Sequence, residues 1–138
     1  MNPVECGLVE IGGNNLARVG PILEVCYGPS PDHLLGPYPA LIDTGATQNY
    51  IDHRLAVKLQ LNPIRATRVL ATSAVLAATV YSGQLYIPDL AWTIPDQIIA
   101  TDLNSSGEGF NIIIGRTTLQ HCRMVYNGQT GSVLLFKV

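Results

Sequence analysis

The sequence predicts a mostly β protein with one or two short helices. Three observations carry this. From Ala66 onward, β-branched and apolar residues fall into short runs of strand length. Clusters of Gly, Asn, Ser and Pro separate those runs. Helical spacing of apolar residues marks only a short segment, where Leu55 and Leu59 follow Ile51.

Taken in order, residues 1–17 carry Gly12, Gly13, Asn14 and Asn15 and read as a loose lead-in, with a single domain over 18–138. Val19 to Tyr27 reads as a strand, and Gly28 to Pro39, with four prolines, as a loop. Pro39 to Ile42 is a short buried strand running into the turn signal Asp43-Thr44-Gly45. Asp52 stands as the N-cap of a helix over about 53–60, which Pro63 closes. Thr67–Ala71 and Ala74–Tyr81 form the arms of a hairpin around Thr72-Ser73. Further strands are expected at Gln84–Ile87, Gln97–Asp102 and Asn111–Ile114, with a turn over Asn104–Gly109. Arg116–His121 is a candidate second helix. Arg123–Tyr126 and Ser132–Phe136 flank a hairpin turn at Asn127–Gly131.

Composition narrows the function classes. A chain of 138 residues suits one domain and buries roughly two-thirds of its unfolded surface. Apolar residues are 47% and charged residues 13%, which excludes disorder over most of the length. Charge this sparse suggests that another subunit covers part of the surface. A formal net charge of −2 with no basic run argues against a nucleic-acid partner. The longest apolar stretch, about Ala74 to Tyr81, is too short to cross a bilayer, so no membrane partner is expected. Glu5 and Glu10 stand where a signal peptide would be apolar, which makes a reducing, cytoplasmic setting the expectation. Cys6, Cys26 and Cys122 are scattered and read as reduced thiols. His33, His53 and His121 have no ligand spacing, so neither a metal nor an organic cofactor is expected. There is no phosphate loop, no dinucleotide fingerprint and no GxSxG, and Cys122 beside His121 points the two side chains apart.

The segment that suggests chemistry is Ala40-Leu-Ile-Asp43-Thr44-Gly45-Ala46-Thr47. Three apolar strand residues deliver one carboxylate onto a turn. Thr44 supplies a short hydroxyl, and Gly45 allows either a close backbone approach or a positive φ. An Asp-Thr-Gly turn alone arises often by chance. Much further along, Phe110-Asn-Ile-Ile-Ile114-Gly115-Arg116 is an apolar strand closed by Gly, and the pair is far more specific than either half.

From about Arg18 to Phe136 the chain resembles the retropepsin-like aspartic proteases, the single-lobe enzymes of retroviruses, retroelements and their cellular relatives. The resemblance implies an all-β closed acid-protease barrel and a homodimer. It matches Asp43 to the catalytic aspartate, and Thr44, Gly45 and Ala46 to the rest of the active-site motif. Gly115 matches the glycine of the psi-shaped loop, and Arg116 the arginine that often follows it. The hairpin Arg68–Val80 falls at the flap, with Thr72 and Ser73 near a substrate-binding tip. Ser132–Phe136 falls where relatives build the dimer sheet. Many viral relatives carry Asp at the position of Thr47 and pair it with that arginine, so Arg116 needs another partner here.

Peptide hydrolysis of this type needs two carboxylates about one water, and the chain has one such motif with no room for a second lobe. The expectation is a homodimeric aspartic endopeptidase, with Asp43 from each subunit and a protein or peptide substrate bound in extended form. Val133-Leu-Leu-Phe136, apolar on both faces, wants cover on both. The alternative is a non-catalytic dimerisation or protein-binding module on the same fold.

Overall fold

A computed structural model describes residues 8–12, 16–70, 73–103 and 109–138. Along the chain come β1 (Leu8–Gly12), α1 (Leu16–Val19), β2 (Ile22–Gly28), β3 (Leu35–Ile42), β4 (Tyr50–Asp52) and α2 (His53–Lys58). There follow β5 (Asn62–Leu70), β6 (Val75–Ile87), a single 3-10 turn at Pro88–Leu90 and β7 (Trp92–Thr101). The last elements are β8 (Ile112–Ile114), α3 (Arg116–Leu119), β9 (Cys122–Asn127) and β10 (Ser132–Lys137). Cys6, Thr72 and the turn residues 104–108 lie outside the described residues.

The main sheet runs β2-β3-β8-β4-β7-β6-β5, and β2 also pairs with β6. That second pairing closes six strands into a barrel, and β5 stays outside the ring as the second arm of a long hairpin with β6. One edge of β6 serves β7 throughout Thr79–Ile87. The other is divided, Val75–Ser82 going to β5 and Gln84–Tyr86 to β2. Gly83 marks the change of partner. A Cβ there would run into the Tyr27 ring, so this glycine serves packing and does not break the strand. The expected strands Ala74–Tyr81 and Gln84–Ile87 are therefore one continuous strand.

The proline-rich segment also departs from expectation. Pro37 and Pro39 belong to β3 and are not in a loop. β3 pairs with β8 only from Ala40 onward, and on that side Pro39 uses only its carbonyl, which accepts the Asn111 N–H at 3.0 Å, so a missing N–H at either proline costs no ladder bond. Pro95 lies in β7 before its pairing with β4 begins at Ile99, for the same reason. Val19 does not open β2. It ends α1, and Gly20, at φ 94°, turns the chain into Pro21.

The barrel is filled by Val25, Tyr27, Ile51, Leu85, Ile98 and Ile112, all without exposed surface. A second sheet, β1-β10-β9, lies across it. Residues 8–12 are thus a paired strand and not part of a loose lead-in. The alternation explains it: Val9 and Ile11 are buried while Glu10 faces out.

β10 is the middle strand of this second sheet, with both edges paired inside the chain. Val133 and Leu135 face the core at 0% and 1% exposure. On the other face, the Arg123 guanidinium lies 4.4 Å above the Phe136 ring. Part of the cover expected from a partner thus comes from the chain itself.

Candidate active site

β3 buries Ala40 and Ile42 and leaves Asp43 half-buried where the ladder ends. The Asp43 N–H donates to Ile114 O at 2.9 Å, and its carbonyl accepts from the Ala46 N–H at 3.2 Å. Its Oδ1 accepts the Gly45 N–H at 2.8 Å, closing an Asx-type turn that holds one carboxylate oxygen. A Cβ on Gly45 would stand 3.0 Å from that oxygen. Gly45 has no positive φ, so of the two roles open to it the structure uses close approach.

Directly beneath, β8 threads between β3, which it pairs in parallel, and β4, which it pairs antiparallel. Gly115 follows β8 and has no space for a side chain, since a Cβ would meet the Gln48 carbonyl oxygen. The backbones lock together here. The Arg116 N–H donates to Ala46 O at 2.8 Å and the Thr117 N–H to Thr47 O at 3.0 Å. The Arg116 guanidinium donates to Thr44 O at 2.7 Å and to Thr47 Oγ1 at 2.9 Å. Thr47 is therefore the partner that Arg116 required, through a neutral hydroxyl.

A buried polar cluster completes the support, and the sequence reading missed it. Asn49, 1% exposed, accepts the Gly115 N–H at Oδ1 at 2.8 Å and reaches Thr118 Oγ1 with its amide at 2.8 Å. The same amide donates to Asp96 Oδ2 at 3.1 Å, and the Tyr27 hydroxyl donates to that oxygen at 3.0 Å. Burial raises the Asp96 carboxyl above its ordinary range, and the bonds from Asn49 and Tyr27 oppose the shift. Burial, with the Asp96 charge adding to it, pushes the Tyr27 phenol strongly upward. One side-chain amide thus ties the segment before β4 to Gly115, to α3 and to β7, the strand beside β4.

Beside the turn lies a cleft of about 410 Å³, lined by Thr47, Gln48, Tyr50, Arg65, Val69 and Ile99 among others. One wall is the β5–β6 hairpin, which pairs from Asn62–Ser82 out to Leu70–Val75. Ser73 is exposed at the hairpin's end, and Leu70, also there, is 86% exposed. Asp43 does not line this cleft.

Residues 31–118, well over half the chain, match the family described as aspartyl protease. The chain belongs to that family. Its fold is retropepsin-like. A retropepsin-like aspartic protease from Rickettsia conorii superposes with a TM-score of 0.60 at 14% identity, over 94% of this chain and 90% of that one. The protease of Simian Foamy Virus (mac) superposes with a TM-score of 0.50 at 14% identity, over 72% of this chain and 91% of that one. At such identity the likeness is one of fold. No protein with a curated description is similar to it in sequence.

Among the other chemistry-bearing side chains, Cys122 and His121 have structural partners. The Cys122 thiol, raised to about 11 by burial, lies 3.8 Å from Thr118 O. The His121 ring meets Trp92 edge-on at 6.2 Å, so the adjacent pair forms no nucleophile system. Cys26 is raised by burial and by Glu24. Among the described residues no cluster of metal-ligating side chains forms, and no helix is long and apolar enough to cross a membrane.

Proposed function

We propose that the chain is one half of a homodimeric aspartic endopeptidase in which Asp43 of each subunit contributes one carboxylate. A single observation carries the reading: one Asp-Thr-Gly turn, braced from below by β8 and Arg116, in a chain of the aspartyl protease family with one such motif. The geometry suits the chemistry. Oδ1 of Asp43 is held by the Gly45 N–H, which fixes the carboxylate plane at the end of a rigid strand.

Two such carboxylates at a two-fold axis share one proton, because like charges that close do not both ionise. The ionised one takes a proton from water as the water oxygen bonds to the peptide carbonyl carbon. The protonated one donates to the carbonyl oxygen. The tetrahedral intermediate collapses, the C–N bond breaks, and the amine leaves with a proton from the dyad, yielding a carboxylic acid and an amine. Thr44 then lies next to its mate at the axis, Ala46 and Gly115 support the turn, and the β5–β6 hairpin, with Ser73 at its end, folds over an extended substrate.

Incubating the purified protein with a denatured protein mixture across pH 3–7 tests the reading. Cleavage should occur, should stop with a transition-state-analogue inhibitor of aspartic proteases, and should vanish in Asp43→Asn. Near wild-type cleavage by Asp43→Asn would remove Asp43 from the mechanism. A folded protein that cleaves nothing would point to a non-catalytic binding module.

A further inference from the structure

Among the described residues, the cleft under the hairpin has positive charge on its wall and no negative charge to balance it. Arg65 and Arg68 both line it, and no described Asp or Glu does. Its floor residues Thr47, Gln48 and Gln97 are neutral. Arg54 pairs with Asp52 and Asp102, away from this cleft. Asp96, next to Gln97 on β7, turns its carboxylate to Tyr27 and Asn49.

Arg65 is the better placed of the two cations. It pairs with Val80 on the hairpin, and alternation puts it on the face that Thr67 and Val69 present to the cleft. Its Nη1 donates to Gln97 Oε1 at 2.9 Å. That bond orients the guanidinium across the cleft without neutralising it. A guanidinium has five N–H donors in a planar fork, so one bond to an amide leaves enough for a two-point grip on a carboxylate. Arg68 adds charge of the same sign at the rim.

We propose that Arg65 makes the cleft select an acidic side chain, so that the preferred substrates are peptides carrying Glu or Asp at the position lying against Arg65. The peptide itself comes from the endopeptidase reading above, on which this inference rests. An extended peptide sends alternate side chains to one face, so a single register position is read.

Binding and cleavage separate the two claims. The probe is a set of fluorescein-labelled octapeptides with Glu fixed at each position in turn, against the same set with Gln. Binding is measured by anisotropy to the Asp43→Asn protein. At one position Glu should tighten binding by about fivefold, the upper end of what an exposed ion pair supplies. Adding Arg65→Gln should remove the preference. Adding Arg65→Glu should reverse it, so that the Gln peptide binds more tightly than the Glu peptide at that position, which a misfolded protein would not do. No measurable binding, equal binding of the Glu and Gln sets, or a Glu preference that survives Arg65→Gln overturns the inference. The same peptides given to the protein with Asp43 intact report the endopeptidase reading separately. Arg65-dependent acidic binding without any cleavage upholds the inference on specificity and defeats the reading as an enzyme.

Discussion

Asn49 illustrates how much a single side chain decides in this molecule. It is buried, and its amide and carbonyl together satisfy Gly115, Thr118 and Asp96. Truncation strands several polar groups at once, each costing about 1–3 kcal/mol when left unpaired. Asn49→Ala should therefore destabilise the fold by about 2 kcal/mol or more, measured by denaturant unfolding. A loss within experimental error would mean that water replaces the amide. The sequence places this residue after the Asp-Thr-Gly turn but does not mark it as a buried support. Its partners lie 47 to 69 positions away, and a buried polar pair has no period to betray it. Asp43 and Gly45 stood out because a carboxylate, a hydroxyl and a glycine in succession make a chemical pattern along the chain itself. The use of Gly45 for close approach, and of Thr47 for Arg116, needed the second strand in place.

Asp96 gives the cluster a pH dependence with a definite sign. Burial raises its carboxyl in the folded state, so the folded chain binds the proton more tightly than the unfolded chain does. That contribution to stability is fully present below the unfolded carboxyl range, near pH 4, and is lost as pH rises through the raised folded value. Asp96→Asn keeps an oxygen to accept from Tyr27 and Asn49 and cannot titrate. The parent protein should lose stability above about pH 4, and the loss should be flatter in Asp96→Asn, both followed by thermal unfolding at a series of pH values. Identical slopes would show that Asp96 ionises without cost.

At the scale of elements, the short strands were legible wherever an apolar run is bounded by turn signals, as at Ser132–Phe136 after Asn127–Gly131. Elements were missed where Gly or Pro sits inside a strand for a tertiary reason. Gly83 makes room for the Tyr27 ring, and Pro37, Pro39 and Pro95 stand where no neighbouring strand needs their N–H. Local propensity reads all of these as breaks. Asp52 shows the converse. It precedes α2 as expected of a cap, yet its Oδ1 accepts the Leu103 N–H at 3.1 Å and makes no cap bond. The position of β10 changes what its removal does. Deleting residues 132–138 takes out the centre of a three-stranded sheet, unpairing β1 and β9 and uncovering Val9 and Ile11. The truncated chain should show a lower unfolding temperature even at concentrations where the full chain is monomeric. An unchanged midpoint would mean that this sheet adds nothing to the single chain.

For the whole molecule, the decisive question is whether one chain suffices. Asp43 is half-buried at the end of one strand and lines no cleft with a second Asp-Thr-Gly turn. If two chains share the site, specific activity should fall on dilution through the dimer dissociation constant, and a tethered dimer should resist dilution. One Asp43→Asn in either half of the tethered form should inactivate it. Constant activity at concentrations where sedimentation finds only monomer would reject the shared site. β9, unlike β10, has an unpaired edge, and Val125 and Tyr126 on it are 46% and 53% exposed.

The pairing of Leu8 with Phe136 also sets an order of events during synthesis. The second sheet joins the two ends of the described chain, so it is among the most non-local contacts the molecule makes. The barrel strands, all contained between residues 22 and 101 except for β8, can associate while the last segment is still being made. β1 has to wait unpaired until β10 emerges to lie between it and β9. Until then Val9 and Ile11 stand open to other chains, so the interval before β10 emerges is one in which a nascent molecule is exposed to aggregation.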